Sequence, residues 1–253
     1  MWPWEQDFDT YIAFLDETPG SFLLDLAAVQ HAPLPTHSAR VQVRLTLQQP
    51  GDSGLPGVDE LGALGDLEDR IVETLNERFG AIFVGHVISE GLVHLVCYAE
   101  PHLVSAPETI LDGFDPEGYE VAWFVEQDPE WGMYFEFLFP DALSHQTIKN
   151  RRHLQALAEH GDVHATPRMV DHFAYFADDA KANAAAEGLA AAGFEVDPAQ
   201  RDVDDDRWSL KFRREDVLDE ERPDEFCMEI MQILTPHEGD YDGWGAPVMR
   251  PTH

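Results

Sequence analysis

The chain has 253 residues, 49 acidic and 16 basic, and a net charge of −33 at pH 7. Because 44% of the residues are hydrophobic and 11% aromatic, global disorder is excluded, and the length allows one large or two ordinary domains. This charge repels phosphate backbones and anionic lipids, so we expect neither direct nucleic-acid binding nor membrane binding. A protein partner with a basic segment fits the charge, which also serves solubility.

Cysteine usage and the first residues indicate the compartment. Cys97 and Cys227 lie far apart in the sequence, so we expect no disulfide framework. The start, Met1-Trp2-Pro3-Trp4, lacks the basic and apolar regions of a signal peptide. No apolar run approaches the ~20 residues of a membrane-spanning helix. We therefore expect a cytoplasmic protein.

Hydrophobic periodicity in the first half predicts a helix between strands. Residues Val41 to Leu47 alternate apolar and polar side chains, which indicates a half-buried strand. Apolar residues recur at helical spacing over 59–79, and Gly80 is suited to end that helix. A hairpin follows, with its turn at Glu90-Gly91. Four further elements are predicted: a strand Phe22 to Val29, a short helix Pro107 to Gly113, a strand Tyr119 to Glu126 and an edge strand Tyr134 to Phe139.

The second half repeats the same order of elements. A helix from Ser144, as its N-cap, to Gly161 leads into it. The pattern then predicts a strand at His172, a helix capped by Asp178, two strands around an acidic turn, and a helix starting near Pro223. The strand, helix, strand, strand, helix, strand order favours a ferredoxin-like α+β fold. We predict two ferredoxin-like domains, each an antiparallel four-stranded sheet with helices on one face, at 1–141 and 166–253, with a connecting helix at 142–165.

The run Tyr241-Asp242-Gly243-Trp244-Gly245 ends the second pattern. Asp-Gly can turn the chain, and a tryptophan between glycines can lie against the backbone while its indole N–H finds a partner. The residue is either a plug at the end of a core or the rim of a binding groove. Neither interpretation supplies a nucleophile and a base.

The search for catalytic and metal sites yields no expected site. His160 and His164 have the spacing of helical metal ligands, but Gly161 lies between them and breaks the helix. His86 and His94 point to opposite faces if Glu90-Gly91 is a two-residue turn. Both cysteines lie in apolar segments and indicate inert core thiols. We predict no catalytic residue, no metal and no cofactor.

Acidic residues form two groups in the second half. Both are candidates for binding a basic partner segment, although a solvated hairpin tip and helix start would look the same. The first group lies in a turn and the second follows one strand later, so we expect two patches at opposite ends of one hairpin arm. The groups are Asp202, Asp204, Asp205 and Asp206, then Glu215, Asp216, Asp219, Glu220 and Glu221.

The second half, at about residues 145–247, resembles the regulator of ribonuclease activity B family, which inhibits ribonuclease E. The resemblance implies a ferredoxin-like fold and a non-catalytic protein that binds a ribonuclease. The matching residues that it marks as structural are His172, Phe173, Tyr175 and Phe176 in one segment, and Tyr241, Asp242, Gly243, Trp244 and Gly245 in another. The helix end Ala192-Gly193-Phe194-Glu195-Val196 also matches.

The first half resembles a family of unknown function that often precedes this regulator. The matching segments are Gly54-Leu55-Pro56, Val84-Gly85-His86 and Asp128-Pro129-Glu130-Trp131, with Asp128 and Trp131 as its structural residues. We predict a non-enzymatic regulator that binds a ribonuclease and modulates RNA decay. Two alternatives remain open: a hydrolase with a histidine-carboxylate cleft between the domains, and a small-molecule-binding or immunity protein. The sequence does not determine the oligomeric state.

Overall fold

The computed structural model describes residues 2–202, 206–219 and 221–250. The chain divides into two compact units, Met1–Pro140 and Asp141–His253. Each unit is built on its own antiparallel sheet, so the chain is an α+β protein. Within the described ranges, no helix is long and apolar enough to cross a membrane.

The first unit contains a six-stranded antiparallel sheet and one long helix. The elements are β1 Phe8–Leu15, β2 Thr18–Asp25, β3 Ala39–Thr46, α1 Val58–Phe79, β4 Ile82–Ser89, β5 Leu92–Ala99 and β6 Glu120–Gln127. The strand order is β1-β2-β4-β5-β3-β6. Our prediction of four strands was wrong here, because the aromatic-rich start of the chain forms β1 and pairs with β2 in register from Phe8 to Leu15.

One face of this sheet packs against α1. Leu64, Leu67, Ile71 and Leu75 recur at helical spacing, are buried, and contact the inward side chains of β3 and β5. The helix ends at Gly80, which has a positive φ of 63°, as its predicted C-cap role requires. The periodicity of the sequence therefore correctly located this helix and the face that it buries.

The opposite face carries a π-helix, Met133–Leu138, where we predicted an edge strand over Tyr134 to Phe139. That prediction was wrong because aromatic residues suit a strand and a buried helical turn equally well. Asp128 decides between them, since its carboxylate accepts hydrogen bonds from the backbone N–H groups of Gly132 (2.7 Å) and Met133 (3.1 Å). These bonds start a helical turn.

Two other predictions in the first unit were wrong in part. The strand predicted over Phe22 to Val29 ends at Asp25, whose side chain accepts from the N–H of Ala27 at 3.1 Å and starts a 3-10 helix, Leu26–Gln30. The helix predicted over Pro107 to Gly113 is only a 3-10 turn, Pro107–Thr109. At Asp25 a local capping interaction shortened the strand.

Among its described residues, the second unit contains three α-helices and a five-stranded sheet. The elements are α2 Ala142–Glu159, β7 Arg168–Phe176, α3 Asp179–Ala191, β8 Glu195–Val196, β9 Gln200–Arg201, β10 Trp208–Asp216, α4 Arg222–Leu234 and β11 Asp240–Gly245. The order is β11-β7-β10-β8, with β9 also paired to β10. The expected four strands became five because Pro198 interrupts the edge between β8 and β9.

The helix α2 lies in the second unit and packs against α4. Its N-cap is Asp141, whose carboxylate accepts from the N–H of Ser144 at 2.7 Å, so the cap precedes the predicted Ser144. The core lies between the sheet and the helices. It includes Phe226, Ile230 and Leu234 of α4.

The first prediction tests the close packing of β2 on β4. Gly85 has φ +150°, and a Cβ there would lie 2.1 Å from the carbonyl oxygen of Leu23. We expect Gly85→Ala to lower the free energy of unfolding by more than ~3 kcal/mol, because backbone must move. Gly113→Ala is the control, since Gly113 has φ +75° but a Cβ there would meet no atom within 4 Å beyond its chain neighbours. It should cost about 1–2 kcal/mol. Urea unfolding followed by circular dichroism compares the two, and equal losses would contradict the close approach.

Candidate functional site

The motif Tyr241–Gly245 forms the edge strand β11, and a β-bulge determines how it faces the core. Tyr241 pairs with Ala174 and Trp244 pairs with His172, with the register shifted between Tyr241 and Gly243. Residues three apart in a regular strand point to opposite faces. The bulge adds one residue, so Tyr241 and Trp244 both point toward the helices. Gly243 has the positive φ, 127°, at this position.

The two aromatic side chains end in a polar cluster beneath the helices, which we call the motif cluster: Asn150, His172, Cys227, Tyr241 and Trp244. The Trp244 indole N–H donates to Asn150 Oδ1 at 2.8 Å, and Asn150 Nδ2 donates to Asp224 Oδ1 at 2.7 Å. The Tyr241 hydroxyl lies 2.9 Å from His172 Nδ1 and 3.6 Å from the Cys227 sulfur. The motif cluster thus joins α2, α4, β7 and β11.

His172 is completely buried among aromatic rings. Its imidazole stacks on Phe212, with ring centroids 5.3 Å apart, and meets the edges of Phe194 and Phe226. Burial lowers the pKa of His172 from its ordinary value of 6.5 to about 3. Its Nε2 atom has no hydrogen-bond partner among the described residues. The ring is therefore neutral and serves packing and orientation of Tyr241.

Both cysteines are buried thiols. Burial raises the pKa of Cys97 to about 12 and that of Cys227 to about 11, so neither is a thiolate at neutral pH. Cys97 lies in the core of the first unit and Cys227 in the motif cluster. This arrangement favours structural roles for both.

The histidines that were considered as metal ligands have separate partners. Val87 pairs with His94, as the two-residue turn predicts, and so His86 and His94 face opposite sides of the sheet. His86 bonds to Glu68 at 2.9 Å and His164 to Asp162 at 2.6 Å. In the part of the chain that the structure describes, no three His, Cys, Asp or Glu side chains form a group suited to a metal.

Trp244 is both a core residue and the floor of a small depression. Its side chain is 7% exposed, and the His153 ring stacks on it in parallel, with centroids 4.2 Å apart. A cavity of about 120 Å³ lies over Trp244, His153, Lys149 and Asp242. Burial lowers the pKa of His153, so the stacked ring is neutral at pH 7. Trp244 therefore packs in the core with one side and lines the cavity with the other, so both interpretations of the sequence fit its position. Its role stays a prediction.

The sheet face that points away from the helices carries the other half of the segment His172–Phe176. His172, Ala174 and Phe176 are buried, whereas Phe173 is 38% exposed and Tyr175 half-buried. Neighbouring cations cover both rings: Lys211 Nζ lies 5.5 Å from the Phe173 centroid, and the Arg207 guanidinium 4.3 Å from that of Tyr175. We call this surface the open face.

Ion pairs neutralise the charges of the open face. Lys211 lies 3.3 Å from Asp171, and Arg207 lies 3.3 Å from Asp240. Arg213 is 2.9 Å from Glu195. In a chain of net charge −33, this face is locally balanced and presents apolar side chains, including the exposed Met169. The sequence analysis predicted a strand at His172 but neither which of its side chains are buried nor the cations, which come from β10 and the residue before it.

The structure separates the acidic candidates into different roles. Asp216 is 8% exposed and pairs with Arg214 (2.9 Å) and Arg222 (2.6 Å). Asp206 pairs with Arg201. The backbone N–H of Asp202 donates to the Arg207 carbonyl at 2.7 Å. Asp216 and Asp206 are therefore largely neutralised.

The remaining acidic candidates are surface residues where they are described. Glu215, Asp219 and Glu221 are exposed. The Asp219 carboxylate accepts from the N–H of Arg222 at 3.0 Å, next to the start of α4. Asp204, Asp205 and Glu220 lie outside the described residues. The sequence alone did not distinguish exposed from paired carboxylates, because the arginine partners are set by tertiary packing.

In the first unit, Asp128 and Trp131 hold the π-helix. The Asp128 carboxylate accepts from the Tyr98 hydroxyl at 2.7 Å. Burial opposes its ionisation, but the hydrogen bonds from Tyr98, Met133 and Gly132 lower its pKa. Trp131 has φ +56°, stacks on Tyr98 with centroids 4.0 Å apart, and donates its indole N–H to the His37 carbonyl at 2.8 Å. This geometry supports the structural role that the resemblance implies.

The second prediction concerns Trp244. We expect Trp244→Ala to lower the free energy of unfolding by ~3–5 kcal/mol, because it leaves a cavity in the motif cluster. Trp244→Phe should cost about 1 kcal/mol, since Asn150 Oδ1 still accepts from Gln146 at 2.9 Å. Phe173→Ala, on the open face, is the matched control and should change stability little. Thermal unfolding tests this, and an unchanged midpoint in Trp244→Ala would refute the plug.

The third prediction is a pH dependence. The pKa of His172 is about 3 when folded and 6.5 as the ordinary value, so protonation favours the unfolded chain. The stability that depends on a neutral His172 is fully present above pH 6.5. It is lost as the pH falls toward 3, at up to ~1.4 kcal/mol of unfolding free energy per pH unit. We expect the free energy of unfolding, measured in urea, to decline less steeply between pH 7 and pH 4 in His172→Phe than in the wild type. Identical pH slopes in both proteins would contradict the assignment.

Comparison with known proteins identifies the two parts of the chain. Residues 6–139 match the family of unknown function DUF695, and residues 147–246 match the family described as regulator of ribonuclease activity B. Among curated proteins, none matches the chain. A solved structure of an unknown protein from Galdieria sulphuraria is similar over 83% of this chain and 99% of that one. It has 11% sequence identity and a TM-score of 0.21. Since the first match spans more than half of the sequence, the chain belongs to the DUF695 family, and its residues 147–246 are similar to the ribonuclease-regulator family.

Proposed function

We propose that this protein is a non-catalytic regulator that binds a ribonuclease and modulates RNA decay. The observation that carries the proposal is the match of residues 147–246 to the regulator of ribonuclease activity B family. The inert environments of Cys227 and His172 support a role without catalysis by these groups. The partner that we propose presents a basic segment, which fits the charge of −33.

We also propose that the second unit has the ferredoxin-like topology. If the short β9 is set aside, β7, β8, β10 and β11 are its first to fourth strands. In the order β11-β7-β10-β8, the fourth strand lies beside the first strand. The third strand lies between the first and the second. The first unit has the same relative order in β6-β3-β5-β4, although 3-10 turns replace its second helix. An open sheet face is a consequence of this topology when the helices lie on one side.

The docking surface that we propose is the open face together with its exposed carboxylate Glu215. Met169 and Phe173 provide exposed apolar area on β7, and Glu215 pairs with Met169 across β7 and β10. Because ion pairs neutralise Lys211 and Arg207, a partner buries these cations without leaving either charge unpaired, and a basic residue of the partner pairs with Glu215. The surrounding acidic surface accelerates the approach of a basic partner.

The fourth prediction tests this surface by binding of the full chain to a purified ribonuclease E-type enzyme. We expect Phe173→Ala combined with Met169→Ala to weaken binding at least tenfold, mainly through faster dissociation. The matched control is Met228→Ala, which removes an equally exposed methionine from α4 and should bind normally. Surface plasmon resonance gives the rates, and an RNA-cleavage assay should show inhibition that follows complex formation.

Substitution of the charged residues distinguishes long-range electrostatic attraction of the partner from direct contact with it. Glu215→Gln with Asp219→Asn and Glu221→Gln should slow association and reduce its salt dependence, because exposed charges are screened beyond ~8 Å at physiological salt. The same variant should unfold at the wild-type midpoint. If the apolar and the charge variants both bind like the wild type, the interface lies elsewhere on the protein. Absence of any complex would refute the proposed function.

A further inference from the structure

A cavity of about 330 Å³ lies in the first unit, on the sheet face opposite α1. Gln42 and His94 belong to this face because Val41, Val43, Val93 and Leu95, which alternate with them, pack against α1. Two hairpin turns form its rim through Asp16 and Glu90, and the π-helix supplies Met133 and Phe137. None of the family-motif residues lines this cavity.

The wall made by the π-helix is fixed by the protein itself. Asp128 binds the N–H groups of Gly132 and Met133, and the Tyr134 hydroxyl donates to the Asp25 carbonyl at 2.7 Å. Single π-helical turns are rare and frequent at functional sites. Here the turn directs Met133 and Phe137 to the same cavity, and the Phe137 ring is 38% exposed. The cavity is therefore pre-formed, as binding sites for small molecules usually are.

The floor of the cavity is polar but uncharged. Gln42 Nε2 donates to His94 Nδ1 at 2.8 Å, which places the ring proton of a neutral His94 on Nε2. Burial, with the nearby Arg44, lowers the pKa of His94, so the ring is neutral at pH 7. The Arg44 guanidinium lies over the Phe124 ring, 5.8 Å from its centroid, and Arg44 is not among the lining residues.

The charge at the rim is entirely negative. Among the described residues that line the cavity, only Asp16 and Glu90 are charged, because His94 is neutral. Glu90 also accepts from the Thr18 hydroxyl at 3.3 Å, which links the two hairpin turns. An anion is repelled by both carboxylates and by the net charge of −33. An ammonium group is attracted by them, and an accessible aromatic ring such as Phe137 adds a cation–π contact.

We propose that this cavity binds a small organic cation, with its ammonium group between Asp16 and Glu90 and its apolar body against Val87, Met133 and Phe137. The apolar part of the lining takes the hydrocarbon, and His94 offers a hydrogen-bond donor at the floor. The site is separate from the ribonuclease-regulator part of the chain and does not depend on the function proposed for it.

The fifth prediction tests this ligand class by calorimetric titration of the full chain. The probes are 2-phenylethylamine, 2-phenylethanol and 3-phenylpropionate, which share an apolar body and differ in charge. We expect saturable binding of the amine and at least tenfold weaker binding of the alcohol and the carboxylate. Glu90→Gln and Asp16→Asn should each weaken the amine about two- to fivefold. Glu17→Gln is the control, because Glu17 lies in the same turn as Asp16 but does not line the cavity.

The location is tested with protein carrying ¹³C-methyl methionine. The amine should shift the methyl signal of Met133 and leave that of Met228, which lies in the other unit, unchanged. If Glu90→Gln does not fold, Asp16→Asn tests the same rim. Equal affinity for the amine and the alcohol, an effect of Glu17→Gln as large as that of Asp16→Asn, or an unmoved Met133 signal would each overturn the proposal.

Discussion

The second unit depends on the bulge at Asp242-Gly243 in β11. The extra residue brings Tyr241 and Trp244 to the same face, where one meets His172 and the other meets Asn150. A strand without the bulge would turn one of these side chains to solvent and leave buried polar atoms without partners. The interaction therefore determines where α2 rests on the unit, since Asn150 belongs to that helix and joins it to α4 through Asp224.

The first unit uses one side chain in a comparable way. The Asp128 carboxylate collects hydrogen bonds from Tyr98, Gly132 and Met133, and so converts an aromatic-rich segment into a π-helix on the sheet. In each unit a polar acceptor placed by the core orders a segment that propensity alone leaves undecided. The surfaces that result differ: an acid-rimmed cavity in the first unit, and a charge-balanced open face in the second.

Much of the fold was predictable because its signals are local. The alternation of β3, the helical spacing of Leu64, Leu67 and Ile71, and the positive φ at Gly80 all follow from a few neighbouring residues. The strand at His172–Phe176 was predicted too, but not that His172 is buried while Phe173 is exposed. The strand β1 and the π-helix were not predicted, because aromatic residues are compatible with several backbone conformations when they are buried. Their choice depends on Asp128 and on pairing with β2.

The sequence by itself determined the two-part organisation, the α+β class, most element positions and the family resemblance. These follow from period, turn residues and short motifs, which act over a few residues. Only the tertiary structure decided that Asp216 is paired with Arg214 and Arg222 while Glu215 is exposed, and that Lys211 covers Phe173. It alone brought Asp16, Glu90 and Phe137 to one cavity. The physical reason is that charge pairing and concavity depend on distances between chain segments remote in sequence, which no local pattern encodes.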